Sequence, residues 1–407
     1  MRIAIVSAFY RPNWGYQENL WVQQLVHDGH EVRVITPGRS SGPIAQMPVL
    51  AGHYEEQRIK ALGFLRSIFL GDISQALLEY QPDAVMWVGP GMFFGRQLAY
   101  NKRLASIPVA TFWSENLGMH EFDWRKKGLT MRQRLHALAW RVLRCREMRR
   151  ALRRSQVIVG NTLQTLDVLK IAFGDGPEWP QIERKHVHFP LGYSPLEYAW
   201  DPSLREATRR RLGLGAEDVV VCFSSRFDPG AKARDIATAI GGIRDALTRR
   251  ADLKALVVGF ADNATSADFR RLIADSPTGA RIQCHPFANR RELNEYYNAS
   301  DMAIFTNASI SAQAALGTGL YTCLADNGSM EDLITIPEQG VFFEYGNSRS
   351  LADRLVRAAE EAHLWTPDER QQVRQRRVEA SRWLGYDRIL SDLFARLDGS
   401  AASGAAT

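Results

Sequence analysis

Cysteine is scarce: four in 407 residues, at positions 145, 222, 284 and 323. None stands near enough to another to form a C-x-x-C or zinc-type pair, which excludes a metal knuckle and a disulfide-stapled scaffold. Reduced thiols and a cytoplasmic location are the expectation. Long apolar runs are also missing, since nothing reaches the roughly 18 consecutive apolar residues that cross a bilayer. The opening MRIAIVSAFYRPNWG has one Arg, a short apolar stretch and no small-residue cleavage site, so it is expected to be a strand and not a signal peptide. No G-x-G-x-x-G follows that stretch, which disfavours dinucleotide binding of the dehydrogenase type. Repeats are absent, and bias is confined to the tail GSAASGAAT, expected to be disordered.

What is present is the makeup of a globular chain, 45% hydrophobic and 24% charged, long enough for two or three domains. Buried-strand runs alternate with helical patterns: 3–6, an amphipathic stretch through Leu20, Val22, Leu25 and Val26, then 31–36. Further strands are predicted at 84–88, 109–113 and 157–159. Pro, Gly and Tyr then interrupt the pattern across 190–202, where a linker is expected. A second series follows, with strands at 219–223, 255–258, 281–284, 302–305 and 321–324. Its helices are predicted over 236–247 and 291–298 and from about Ser311. Both series predict doubly wound parallel α/β sheets. The expected division is residues 1–195 and 196–380 as two Rossmann-like domains, a helix over 381–396 returning to the first, and a tail over 397–407. Such domains bind ligands beyond the carboxyl ends of their strands, here in a cleft between the two.

Charge is unevenly spread. The chain carries 51 Lys and Arg against 45 Asp and Glu. Residues 124–154 alone hold 12 basic residues and one acid, Glu147, so the remainder is mildly acidic. Met131, Leu135, Leu138, Val142, Cys145, Met148 and Leu152 step by three or four through this strip, the spacing of one helix face. A basic helix of this kind, with Trp124 and Trp140, suits an anionic membrane surface on the inner face. A solvated face beside a core stripe, or a positive wall attracting a phosphate-bearing acceptor, fits the same pattern. Nucleic acid is not expected, because no stacking platform or reader motif accompanies the charge.

The run from Pro12 to Glu18, followed by GHEVRVIT, resembles the N-terminal half of the retaining GT-B nucleotide-sugar glycosyltransferases of family 4. PLGYS (190–194), SSRFDPGAKARD (224–235), HPFANRRELNEYYNASDMAIFTN (285–307), ISAQAALGTGL (310–320) and GSMEDLI (328–334) follow in the family's order. The resemblance spans nearly the whole chain. It implies the GT-B fold, transfer of a sugar from a nucleotide-sugar donor to a lipid-linked or saccharide acceptor, retention of configuration, and no metal or other cofactor. Surface polysaccharide or glycolipid assembly is the implied setting.

It also implies roles residue by residue. Arg226 and Lys232 stand at the positions that clamp the donor diphosphate, chemistry suited to a guanidinium fork and an ammonium point charge. Gly15 admits the donor phosphate or sugar, or is simply a turn glycine. The amides of Ile310 and Ser311, at the start of a helix, offer a second phosphate contact; Ser309 and Ser311 serve equally well as caps only. Glu115 and His120, in the loop 111–124, are candidates to orient acceptor or sugar. His186 and His188 read as structural strand residues. One departure stands out: the family's two glutamates, eight positions apart, are replaced by Thr306 and Ala314. Gln313 beside them offers a neutral amide to a donor ribose. Altered donor contacts, an unusual donor, or a catalytically silent scaffold subunit each account for this, and an epimerase of the same fold is a further alternative.

Overall fold

In the computed structural model the described residues are 1–11, 16–38, 53–64, 68–114, 128, 130–174, 176–227 and 233–399. The chain divides into two compact units, one formed by Met1–Pro190 with Tyr386–Thr407, the other by Leu191–Gly385.

The first unit contains β1 (Arg2–Ser7), α1 (Gln17–His27), β2 (Glu31–Gly38), β3 (Tyr54–Lys60), β4 (Leu62–Phe64), β5 (Ile68–Leu70), α2 (Ser74–Tyr80), β6 (Ala84–Val88), α3 (Gln97–Tyr100) and β7 (Val109–Trp113). It continues with α4 (Met131–Arg154), β8 (Val157–Gly160), α5 (Thr165–Phe173), α6 (Trp179–Lys185) and β9 (His186–His188). Seven strands pair in the order β3-β2-β1-β6-β7-β8-β9, all parallel, and β4 and β5 form a separate antiparallel pair. Residues 3–6 and 109–113 are buried along their whole length, as expected of strands covered by helices on both faces.

The second unit runs α7 (Pro202–Arg211), β10 (Val219–Ser224), α8 (Ala233–Arg249), β11 (Leu253–Phe260), α9 (Ala264–Ala274), β12 (Ile282–Pro286), α10 (Arg290–Ala299), β13 (Met302–Phe305) and α11 (Ile310–Gly317). It ends with β14 (Tyr321–Asp326), β15 (Gly340–Glu344), α12 (Ser348–His363) and α13 (Pro367–Ala380). Its sheet is parallel throughout, ordered β12-β11-β10-β13-β14-β15. The order reverses between β10 and β13, the topological switch point where open α/β sheets hold ligands. The first unit has the same kind of reversal between β1 and β6.

The stretch 191–200 and helix α4 differ from what periodicity suggests. The stretch 191–200 is not a free linker: Tyr193, Ser194 and Tyr198 are buried in the second unit, and Gly317 of α11 lies so close to the Tyr193 ring that a Cβ there would sit 2.3 Å from it. The last helix, α14 (Tyr386–Leu397), belongs to the first unit, where Tyr386 meets Trp21 of α1 edge-on at 6.3 Å. The apolar stripe of α4 also divides. Cys145, Met148 and Leu152 are buried, whereas Met131, Leu135, Leu138 and Val142 are 43–74% exposed. The stripe is a core face only over its C-terminal half. The tail beyond residue 399 lies outside the described residues.

Candidate functional site

At the switch point of the second unit, the parallel register Val221–Met302, Cys222–Ala303 and Phe223–Ile304 sets the carboxyl ends of β10 and β13 side by side. The turn after β10 holds Arg226, exposed, between Ser225 and Phe227. Phe227 anchors this turn: fully buried, it stacks on Phe260 at 4.1 Å between ring centroids. The Ser225 and Phe227 amides donate to the carbonyls of Val258 and Gly259 at 3.1 and 3.3 Å. Such close approach requires glycine at 259, where φ is +118° and a Cβ would lie 1.7 Å from the Ser225 carbonyl oxygen. The Arg226 guanidinium has no acceptor among the described residues.

After β13 come Thr306, half-buried, and Ser309, whose side chain caps α11 by accepting from the Ala312 amide at 3.3 Å. Ile310 and Ser311 occupy the first turn of α11, where amide groups carry the positive end of the helix dipole. Sequence reasoning missed what joins these parts. Tyr297 of α10, fully buried, accepts from Ser224 Oγ at 2.8 Å and donates to the Ser311 carbonyl at 3.2 Å, tying the end of β10 to the first turn of α11. Asp235, in the first turn of α8, accepts from Asn307 Nδ2 at 2.5 Å and from the Tyr345 hydroxyl at 3.0 Å. Asn327 Nδ2 donates to the Thr306 carbonyl at 2.8 Å. The loops after β10, β13, β14 and β15 are thereby braced to one another. Their signal in the sequence is only that a polar residue follows each apolar run.

Ala314 is fully buried, and Gln313 is 1% exposed with an Oε1 that meets no hydrogen-bond donor. Of the two positions where carboxylates were expected, Ala314 therefore faces the packed side of α11, while Thr306 lies half-buried in the segment before that helix. In the first unit, Ser7 at the end of β1 donates to Glu18 Oε1 at 3.0 Å. Burial pushes this carboxyl above the usual range, against the pull of its backbone and Ser7 hydrogen bonds. Gly15, Glu115, His120 and Lys232 lie outside the described residues. Among the described residues no cluster of His, Cys, Asp and Glu suits a metal ion, and no helix is long and apolar enough to cross a membrane.

Two parallel doubly wound units with these switch points are the GT-B architecture. Similarity to solved structures covers the full chain. Sucrose-phosphate synthase from Thermosynechococcus elongatus matches at a TM-score of 0.66 and 16% identity, covering 98% of this chain and 100% of that one. HepE from Anabaena, solved in complex with UDP-glucose, matches at 0.63 and 14% over 99% and 100%. An α,α-trehalose-phosphate synthase (UDP-forming) from Burkholderia xenovorans, in complex with glucose-6-phosphate, matches at 0.65 and 12% over 98% and 100%. Comparison with curated protein sequences gives no match. Residues 205–377 match the family described as glycosyl transferases group 1. The chain has the GT-B fold, and its match to the group 1 glycosyl transferases falls within the second unit.

Proposed function

We propose that this chain is a glycosyltransferase moving a sugar from a nucleotide-sugar donor to a lipid-linked or saccharide acceptor, with retention and without a metal, in surface polysaccharide or glycolipid assembly. The observation that carries the reading is the pairing of the exposed Arg226 with the first turn of α11 across the β10–β13 switch point, braced by Tyr297. Departure of a nucleoside diphosphate builds negative charge on its phosphate oxygens. A guanidinium carried on an anchored turn and the oriented amides of a helix start stabilise that charge. Lys232 adds a second cation, Gly15 admits the donor, and Glu115 or His120 orients the acceptor or the transferred sugar. The UDP-glucose held by HepE supports a uridine diphosphate sugar as the first donor to test.

The acceptor side is assigned to the first unit. The exposed apolar residues of α4, set among arginines, support peripheral association with an anionic membrane surface. A silent scaffold subunit is the second reading, favoured by the replacement of both expected carboxylates by Thr306 and the fully buried Ala314.

Calorimetric titration with UDP, GDP, ADP and dTDP sugars separates the two. Binding with release of free nucleotide is expected of the enzyme; absence of any nucleotide binding identifies the scaffold. Arg226→Ala should abolish transfer while leaving the fold intact, and unchanged turnover in that variant would refute the assigned role.

A further inference from the structure

A cavity of about 400 Å³ opens in the first unit between the segment after β6 and the middle of α4. Three of its lining residues are arginines, Arg96, Arg146 and Arg150, against one acid, Glu147. Tyr100 collects two of the cations: the Arg150 guanidinium lies 4.4 Å from its ring centroid and that of Arg96 lies 5.2 Å away. The acid is already engaged. Glu147 Oε1 accepts from the Tyr100 hydroxyl in a short bond and from Arg150 Nη1 at 3.2 Å. Arg96 and Arg146 find no hydrogen-bond acceptor among the described residues. Glu147 offsets part of this charge, since its carboxylate is attracted to Arg96 and Arg146 without a hydrogen bond to either, and the remaining excess of like charge is relieved by an anion that accepts from both.

The remaining wall is apolar. Phe93 holds its ring there from a left-handed backbone, φ +67°, which a bulky residue adopts only at a cost. Val142 lines the cavity on the α4 side and is 62% exposed. A volume of this size exceeds what one phosphate fills and falls in the range of sites for small organic ligands.

We propose that this cavity binds the phosphate group of a phosphate ester whose alcohol portion is apolar, with Arg96 and Arg146 as the phosphate ligands and Phe93 and Val142 against the chain. The cavity is lined by first-unit residues alone, and its test uses no nucleotide, so either reading can fail alone.

The full chain is titrated calorimetrically with octyl phosphate, with octyl glucoside as the uncharged control. Octyl phosphate should bind and octyl glucoside should not. Arg96→Ala and Arg146→Ala should each weaken binding roughly tenfold or more, the usual cost of a charge-assisted hydrogen bond. Glu147→Gln, which removes the negative charge and keeps an acceptor for Tyr100, should tighten it several-fold. Arg132→Ala removes the same charge from α4 outside the cavity and should leave binding unchanged. Equal loss in the Arg132 and Arg146 variants means a diffuse positive field and overturns the proposal, as does equal binding of the two octyl compounds or no binding at all. Retained circular dichroism in each variant keeps misfolding apart from site loss. Flotation with phosphatidic acid vesicles identifies the source of the ester. Loss of flotation in the Arg146 variant alone assigns a lipid headgroup; flotation unchanged, with octyl phosphate binding lost, assigns a soluble phosphate ester.

Discussion

Arginine is used in opposite ways in the two units. In the second, Arg205, Arg209 and Arg374 converge on the carboxyl end of α10. Arg374 Nε donates to the Thr318 carbonyl at 2.9 Å, Nη1 to that of Ser300 at 2.7 Å and Nη2 to that of Tyr297 at 2.8 Å, while its guanidinium lies 3.8 Å from the Trp200 ring centroid. Arg205 and Arg209 reach the Asn298 and Ala299 carbonyls and share the Asp301 carboxylate. These are the carbonyls a helix end leaves unsatisfied, at the negative pole of its dipole. In the first unit the same use is made of Arg2, on the carbonyl of Gln81 that caps α2, and of Arg154, at the end of α4, on the Leu98, Leu104 and Ile107 carbonyls. Further along the same helix, Arg132 and Arg146 are exposed without acceptors among the described residues. The first arrangement fixes a strand that leads into the candidate site; the second leaves charge available for something outside the protein.

The sharpest test of that contrast is removal of Arg374. Arg374→Ala opens a void beneath Trp200 and removes a buried cation that bonds three carbonyls, of which those of Ser300 and Tyr297 keep Arg205 Nη1 and the Ser300 amide, and it should cost about 3–5 kcal/mol in urea unfolding of the second unit. Arg374→Lys should recover little, because an ammonium cannot reproduce the planar fork. Gly259→Ala comes next. The positive φ alone costs roughly 1–3 kcal/mol, and the contact with Ser225 displaces the turn that carries Arg226. Transfer activity should therefore fall by more than stability does, measured as kcat against the unfolding midpoint.

Acid separates the units by mechanism. Burial, aided by His188, pulls the His186 imidazole down from 6.5 to about 4. Below pH 6.5 the unfolded chain takes up a proton that the folded first unit refuses, so stability is lost as pH falls through this window. Burial of Glu18 acts in the opposite sense, its raised value favouring the folded state on acidification. The effect is therefore read as the difference between wild type and His186→Asn, which should narrow from pH 6.5 to 4. In the second unit burial pushes Asp301 up, but Arg205 and Arg209 more than offset it and hold the carboxyl below its usual value. Its contribution persists at pH 5 and is lost only as pH falls through the ordinary carboxylate range near ~3.9. An Asp301→Asn variant should differ from wild type least in the most acidic samples.

Most strands of the two sheets were legible because fully buried parallel strands are continuous apolar runs, as in residues 3–6 and 219–223, whereas the edge strands β3 and β15, only partly buried, were not read. Arg226 and the start of α11 were legible because each follows such a run directly. The short β4–β5 pair carries no long apolar pattern, and α12 and α7 were missed because their buried positions sit among charges. Residues 366–382 show why composition misleads. They are densely charged, yet Arg374 and Arg377 are 6% and 7% exposed. Periodicity cannot register an arginine whose partners are carbonyls from α10 and from the segments around Thr318 and Glu338. Tyr297 escaped for the same reason, since its two hydrogen bonds join residues 73 and 14 positions away.

The smallest expected effect tests the division of α4 most directly. Periodicity assigns Leu135 and Met148 to one apolar face and predicts the same penalty for truncating either. Leu135 is 59% exposed and Met148 is fully buried. Met148→Ala should cost about 2–5 kcal/mol through its cavity, whereas Leu135→Ala should change stability by about 0.5 kcal/mol or less. Equal penalties would mean that the N-terminal half of α4 is covered in solution and that its arginines belong to a packed face. A negligible effect on stability, combined with weaker flotation on anionic vesicles, would place Leu135 on a surface selected for contact and not for folding.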